Sequence, residues 1–246
     1  MGELIAVLSG KGGTGKTSVC AGLSTVLARM GHKVLAVDCD MGLQNLDISL
    51  GLSDSGAISF LDVCEGGYSL SQAAKHDRFE TLAFLTAPLN RTAESVDADS
   101  FRDMVRSAKR EFDYIFLDAP AGIDAGFELA AKFADRCLIV TGADPAAIRD
   151  AARAAQRLEL MGKCDVKLIV NRVSRKLFST MSVTVDDVMD HAGLPLTGIV
   201  PEDPNMTLAA SFGHPLIHFA PRGPAAKAFR RIARRLQGFP ERIALK

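Results

Sequence analysis

Short apolar runs alternate along this chain with longer stretches of helical spacing. The runs are Leu4–Leu8, Lys33–Val37, Leu82–Thr86, Tyr114–Leu117, Cys137–Thr141 and Lys167–Val170. Each has the length of a buried strand. Between them, Ser18–Met30 reads as a helix stopped by Gly31, and Ser100–Glu111 as a helix opened by a Ser100/Asp103 capping box. Pro145–Leu160 follows Asp144 as N-cap, with proline at the first helical position. Thr184–His191 runs out at Gly193, and Pro224–Leu236 at Gly238. Strands that are apolar on both faces and separated by helices predict an α/β fold, a mostly parallel twisted sheet with helices on both faces. No internal repeat or low-complexity linker breaks the pattern, and the Pro/Gly-rich stretch 214–224 reads as a connection. Residues 1–246 therefore read as a single domain, with 239–246 as a short C-terminal tail.

Composition narrows the class. The 246 residues carry 29 Lys+Arg against 29 Asp+Glu and are 48% hydrophobic, too apolar and too evenly charged for a disordered chain. No apolar run approaches the roughly 18 residues that a spanning helix needs. Leu4–Leu8 is also too short to be a signal peptide, so the expected location is the cytoplasm. The cysteines at 20, 39, 64, 137 and 164 are odd in number and never spaced C-x-x-C, which argues against a disulfide framework and a structural zinc site.

The chemistry begins in the loop after the first run. Gly10-Lys11-Gly12-Gly13-Thr14-Gly15-Lys16-Thr17 matches G-x-x-x-x-G-K-[ST] and lies between a strand and a helix, as that motif requires; Ser18 completes the nucleotide-binding stretch. Glycines let the backbone wrap phosphate with its N–H groups, and the helix N-terminus adds positive potential. Lys16 then reaches the β- and γ-phosphates, and the Thr17 hydroxyl ligates Mg²⁺. The same stretch also reads G-x-G-x-x-G, with Asp38 at the end of the second strand, which is the dinucleotide fingerprint. Lys16-Thr17 decides for a nucleoside triphosphate, because a pyrophosphate-binding turn has no use for that pair. A glycine turn that binds nothing leaves both lysines unexplained.

Acidic residues follow at strand ends, where open α/β sheets bind ligands. Asp118 closes its apolar strand in the place of a Walker B aspartate serving Mg²⁺, and Asp38 and Asp40 flank Cys39. Asp118 is followed by Ala119-Pro120-Ala121-Gly122, with no adjacent glutamate to act as base. Asp40 is the nearest candidate to activate water, and slow turnover in isolation is expected.

These residues carry a resemblance. Lys11 within K-G-G-T-G-K-T is a deviant Walker A loop. Together with D-M-G-L-Q-N-L-D from Asp40, L-D-A-P-A-G-I-D from Leu117, L-I-V-N-R from Leu168, S-V-T-V-D-D-V from Ser182 and I-V-P-E-D from Ile199, it resembles the MinD-type septum-site-determining ATPases. The match runs in order to about Gln237. A DNA-partitioning ParA relative would more typically show two prolines after the Walker B aspartate. The nitrogenase iron protein and iron–sulfur carriers would need ligating cysteines that this chain lacks. The resemblance implies ATP sandwiched between two subunits, with Lys11, Lys16 and Asp40 catalytic and Lys11 reaching across to the partner's phosphates. It gives Asp38, Asp118 and Thr17 to Mg²⁺ and Asn45 to the γ-phosphate side. Asn171, Arg172, Pro201 and Asp203 frame the adenine. It also implies a division inhibitor and an ATPase activator as partners, and an anionic membrane surface reached from the cytoplasm when ATP is bound. The alternatives within the superfamily are positioning ATPases acting on DNA or on flagellar placement.

From Arg222 to Lys246 there are eight Lys/Arg and one acid, Glu241. Phe229, Ile232, Ala233 and Leu236 form one apolar stripe opposite the arginines, which reads as a last helix packed on the sheet. MinD-type proteins usually continue into a separate amphipathic membrane tail; here Phe239–Lys246 follows, broken by Pro240. Its Phe239, Ile243 and Leu245 make a weak contact for a bilayer.

Overall fold

The computed structural model describes residues 1–174 and 184–243. The six expected strands are β1 (Glu3–Leu8), β2 (Val34–Asp38), β4 (Phe79–Leu85), β5 (Tyr114–Asp118), β6 (Arg136–Thr141) and β7 (Val166–Val173), joined by two more, β3 (Ala74–His76) and β8 (Leu196–Pro201). They form one eight-stranded sheet in the order β3-β4-β2-β5-β1-β6-β7-β8, in which only the β3–β4 pair is antiparallel. The C-terminal ends of β1, β2 and β5–β8 thus share one edge. Chain order reverses around β1, which opens a crevice beside its end.

The expected helices appear as α1 (Lys16–Arg29), α4 (Ala98–Glu111), α6 (Pro145–Leu160), α7 (Val185–Ala192) and α10 (Pro224–Leu236). Between them lie α2 (Leu46–Leu50), α3 (Phe60–Cys64), α5 (Ala125–Lys132), α8 (Asn205–Ser211) and α9 (Leu216–Phe219). One expectation fails at α4. The helix starts earlier, at Ala98, and its N-cap is Asp97, whose carboxylate accepts from the Ser100 N–H and hydroxyl at 2.8 Å each. Asp103 instead pairs with Arg106 on the helix surface. An aspartate at Ncap competes successfully with a serine three residues later because it accepts both of that serine's donors. The Asp144 cap is as read, its carboxylate accepting from Ala147 N, and the structure adds a capping box between Thr184 and Asp187 that opens α7. Of S-V-T-V-D-D-V, Ser182 and Val183 lie outside the described residues.

Alternation along the strands divides the core into two layers. Leu4, Ala6 and Leu8 face one side of the sheet with α3–α7, while Ile5 and Val7 face the other with α1, α2 and α8–α10. The stripe on α10 packs as expected: Phe229, Ile232, Ala233 and Leu236 are buried against α1 and the sheet.

Candidate functional site

The glycine-rich loop sits at the reversal point, between the end of β1 and the start of α1. Gly13 and Gly15 take left-handed backbone angles, φ 78° and 88°, which side-chain-bearing residues resist. Gly15 is the N-cap of α1 and caps it with no side chain, so the first N–H groups of the helix stay available at the loop. The loop is tied down from outside: the Ser9 hydroxyl donates to Lys11 O at 2.8 Å, and Gly122 N donates to Ser9 O at 3.1 Å.

The two loop lysines have opposite surroundings. Lys16 is 8% exposed and acts on Asp118 electrostatically. The Lys11 side chain is 44% exposed and, among the described residues, pairs with Asp144 Oδ1 alone, at 3.5 Å. A solvated pair at that distance holds little, about 0–1 kcal/mol.

Asp38 and Asp118 are register neighbours at the ends of β2 and β5, and both are buried. Asp38 accepts from Asp40 N at 2.8 Å and Leu46 N at 3.1 Å. Burial still raises its pKa to about 6, against those two bonds. Asp118 is pushed up to about 7, first by burial, with Lys16 and the Thr17 hydroxyl pulling the other way and Asp38 adding to the rise. Its Oδ1 is buried without a partner among the described residues, as is Thr14 Oγ1. A buried carboxylate with an orphaned oxygen, next to a hydroxyl, is chemically matched to a hard divalent cation. Thr17 and Asp118, with Asp38 behind them, are the residues that fit Mg²⁺.

Asp40 lies half-buried just beyond β2, and its Oδ1 accepts from Gly42 N at 3.1 Å and Leu43 N at 3.2 Å. It therefore braces the turn leading to Asn45, which is exposed and opens α2 without a side-chain cap. Gln44 in that turn has φ 48°, and its amide donates to Pro88 O at 3.2 Å.

At the end of β7, Asn171 and Arg172 both turn to the phosphate loop. Asn171 Nδ2 donates to Thr14 O at 2.8 Å, and Arg172 Nη1 to Gly13 O at 3.0 Å. Both also line a cleft of about 1040 Å³ that opens beside Ser18 and is walled by Pro201, Asp203 and Met206. The Asp203 carboxylate is engaged inside the fold, accepting from Asn205 N at 3.0 Å and from Ala225 N, at the start of α10, at 3.2 Å. It thereby joins the cleft wall to the last helix.

The nucleotide- and metal-site residues singled out from sequence gather at this edge of the sheet. Reasoning from sequence missed Ser9 and the Asp144 partner of Lys11, as well as Met206, Thr207 and His214 on the cleft wall. In the sequence, Asp144 reads only as a helix cap. The wall residues lie on the short α8 and the following turn, where no periodic signal exists.

The chain matches the family model of the CobQ/CobB/MinD/ParA nucleotide binding domain over residues 5–216. It is 38% identical over 240 residues to the septum site-determining protein MinD of Synechocystis, covering 97% of this chain and 90% of that one. A chain of the MinC:MinD cell division protein complex of Aquifex aeolicus superposes with TM-score 0.90 at 36% identity over 98% of both chains. MinD of Pyrococcus horikoshii, solved complexed with Mg-ADP, superposes with TM-score 0.83 at 31% identity over 96% of both.

Proposed function

This chain belongs to the CobQ/CobB/MinD/ParA nucleotide-binding family and is a P-loop ATPase of the MinD kind, using ATP and Mg²⁺, and from that premise we propose that it works as a dimerising switch in placing the division septum. The observation that carries the switch reading is the division of labour between the two loop lysines. Lys16 is buried beside Asp118 and suits the phosphates of its own site. Lys11 is exposed and weakly held, and suits those of a second subunit.

In the ATP-bound pair, each Lys11 leaves Asp144 and crosses to the phosphates of the facing site. There it stabilises charge on the transferring group as an arginine finger does. Thr17 and Asp118, with Asp38 in support, would hold Mg²⁺, which would supply neutralisation of phosphate charge when bound. Asp40 orients the attacking water and Asn45 lies toward the γ-phosphate. Asn171, Arg172, Pro201 and Asp203 border the adenine. Ala119-Pro120-Ala121-Gly122 puts no base beside Asp118, so unstimulated turnover is slow.

The partners proposed are a division inhibitor, in keeping with the MinC:MinD complex of Aquifex aeolicus, an ATPase activator, and an anionic membrane surface met by the ATP dimer from the cytoplasm. The membrane contact is the tail after α10, where Phe239 and Ile243 are 50% and 45% exposed; Leu245 lies outside the described residues. Among the described residues no helix is long and apolar enough to cross a membrane.

Three variants test the switch by size-exclusion chromatography in ATP–Mg²⁺ and by phosphate release. Lys16→Ala abolishes nucleotide binding or turnover, Lys11→Ala binds ATP but stays monomeric, and Asp40→Ala accumulates as a dimer. A Lys11→Ala protein that dimerises with ATP as the wild type does would sink the sandwich arrangement.

A further inference from the structure

The end of β7 departs from regular strand geometry in a way that the sheet does not require. Its pairing with β8 slips between Val170 and Val173, which frees Asn171 and Arg172 from the ladder. Arg172 takes φ 56°, a left-handed angle that costs a side-chain-bearing residue on the order of 1 kcal/mol. Such strain persists where surrounding bonds over-determine it, and here both side chains are spent on the glycine-rich loop. Asn171, 4% exposed, holds Thr14 O, and Arg172 holds Gly13 O, two consecutive carbonyls of the loop.

Peptide planarity gives those bonds a consequence. In a trans peptide the C=O of one residue and the N–H of the next point in opposite directions. Fixing the Gly13 and Thr14 carbonyls toward β7 therefore turns the N–H groups of Thr14 and Gly15 away from β7. Gly15 is itself matched to the arrangement, since a Cβ there would run into Asn171 Nδ2. We propose that Asn171 and Arg172 act as positioning residues, a clip that pre-aims the loop's N–H groups and so sets affinity for the triphosphate chain itself, whatever base it carries. The proposal rests on the loop being the triphosphate site, and it adds to the two residues a role distinct from bordering the adenine.

The test uses a probe with no base. Displacement of a fluorescent ATP analogue by ATP and by inorganic tripolyphosphate is measured on the full-length wild type and on Arg172→Gly, Arg172→Lys and Asn171→Ala. With the clip acting on phosphate, Arg172→Gly and Asn171→Ala weaken ATP and tripolyphosphate by a similar factor, roughly 5- to 20-fold, the loss expected of one hydrogen bond. Arg172→Lys, which keeps a donor, recovers part of it. Arg172→Gly also relieves the left-handed angle, so its thermal midpoint does not fall and the loss is not one of folding. Tripolyphosphate affinity unchanged while ATP affinity drops would make these residues base contacts only and overturn the clip. So would unchanged affinity for both ligands, or a wild type that binds ATP but is not displaced by tripolyphosphate. A wild type that binds no ATP analogue at all would instead count against the nucleotide site.

Discussion

Asp118 shows what a functional site demands of one residue. Its carboxylate is buried, its Oδ1 has no partner among the described residues, and burial lifts its pKa to about 7. Because its ordinary value is 3.8, a group so placed costs the nucleotide-free fold stability progressively from about pH 4 to about 7 and fully above that, the charged form being desolvated and only partly compensated by Lys16 and Thr17. Asp118→Asn removes the charge while keeping the shape. At pH 8 without nucleotide the variant gains about 1–2 kcal/mol, read as a higher melting temperature. Its phosphate release falls by roughly 100-fold or more if the proposed cation site loses its anionic ligand. A variant that loses both stability and activity would mean that the carboxylate supports the fold rather than the metal. In the sequence this residue stands out, because an aspartate ending an apolar strand beside a P-loop has few other uses. It could not show that Asn171 holds Thr14 O, for an amide after a strand looks the same whether it serves a turn, a base or a neighbouring loop.

At the scale of elements, legibility followed how continuous each apolar pattern is, and for the shortest elements their length. Six strands were visible because each is a run of buried apolar residues in a sheet covered on both faces. β3, three residues at the edge with Lys75 exposed, offers no such run. β8 is interrupted by Gly198, which is needed because a Cβ there would run into Ile232 of α10. α2, α3, α8 and α9 are too short to establish a helical period. Close approach also governs α1 against α10. A Cβ at Gly22 would lie 2.6 Å from the Phe229 ring, which is wholly buried and has no room to retreat. Gly22→Ala thus sets a helix-propensity gain of about 1 kcal/mol against overpacking of about 1–3 kcal/mol. The steric effect wins, and urea unfolding gives a net loss of about 1–2 kcal/mol. Because α1 carries Lys16 and Thr17, ATP affinity falls with it. A neutral or stabilised Gly22→Ala would mean that the two helices are looser than this packing implies.

Over the whole molecule the charge is zero but unevenly placed, since 222–246 holds eight Lys/Arg against Glu241 alone. Much of that charge is used inside the protein. Arg230 donates to Pro221 O and Arg235 to Leu196 O, while Arg234 pairs with Glu241 at 2.8 Å and lies over the Phe239 ring at 5.4 Å. The start of the tail is therefore folded back on α10, yet Phe239 and Ile243 keep about half their surface exposed. Burying the remainder in lipid gains only about 1–1.5 kcal/mol for each side chain, with about 1 kcal/mol more for each basic residue that nears an anionic surface. One tail of that strength dissociates readily. Two tails on a dimer act at a high effective concentration and bind far more tightly without any new contact. Membrane binding should then follow the dimer rather than the chain. With anionic liposomes, Asp40→Ala protein pellets in ATP–Mg²⁺ and stays in the supernatant in ADP. Adding Phe239→Ala and Ile243→Asp abolishes pelleting while the dimer persists, and raising the salt weakens it because part of the attraction is to headgroup charge. Protein that dimerises with ATP but pellets in neither nucleotide would keep the ATPase and move its address from the membrane to DNA or a protein scaffold.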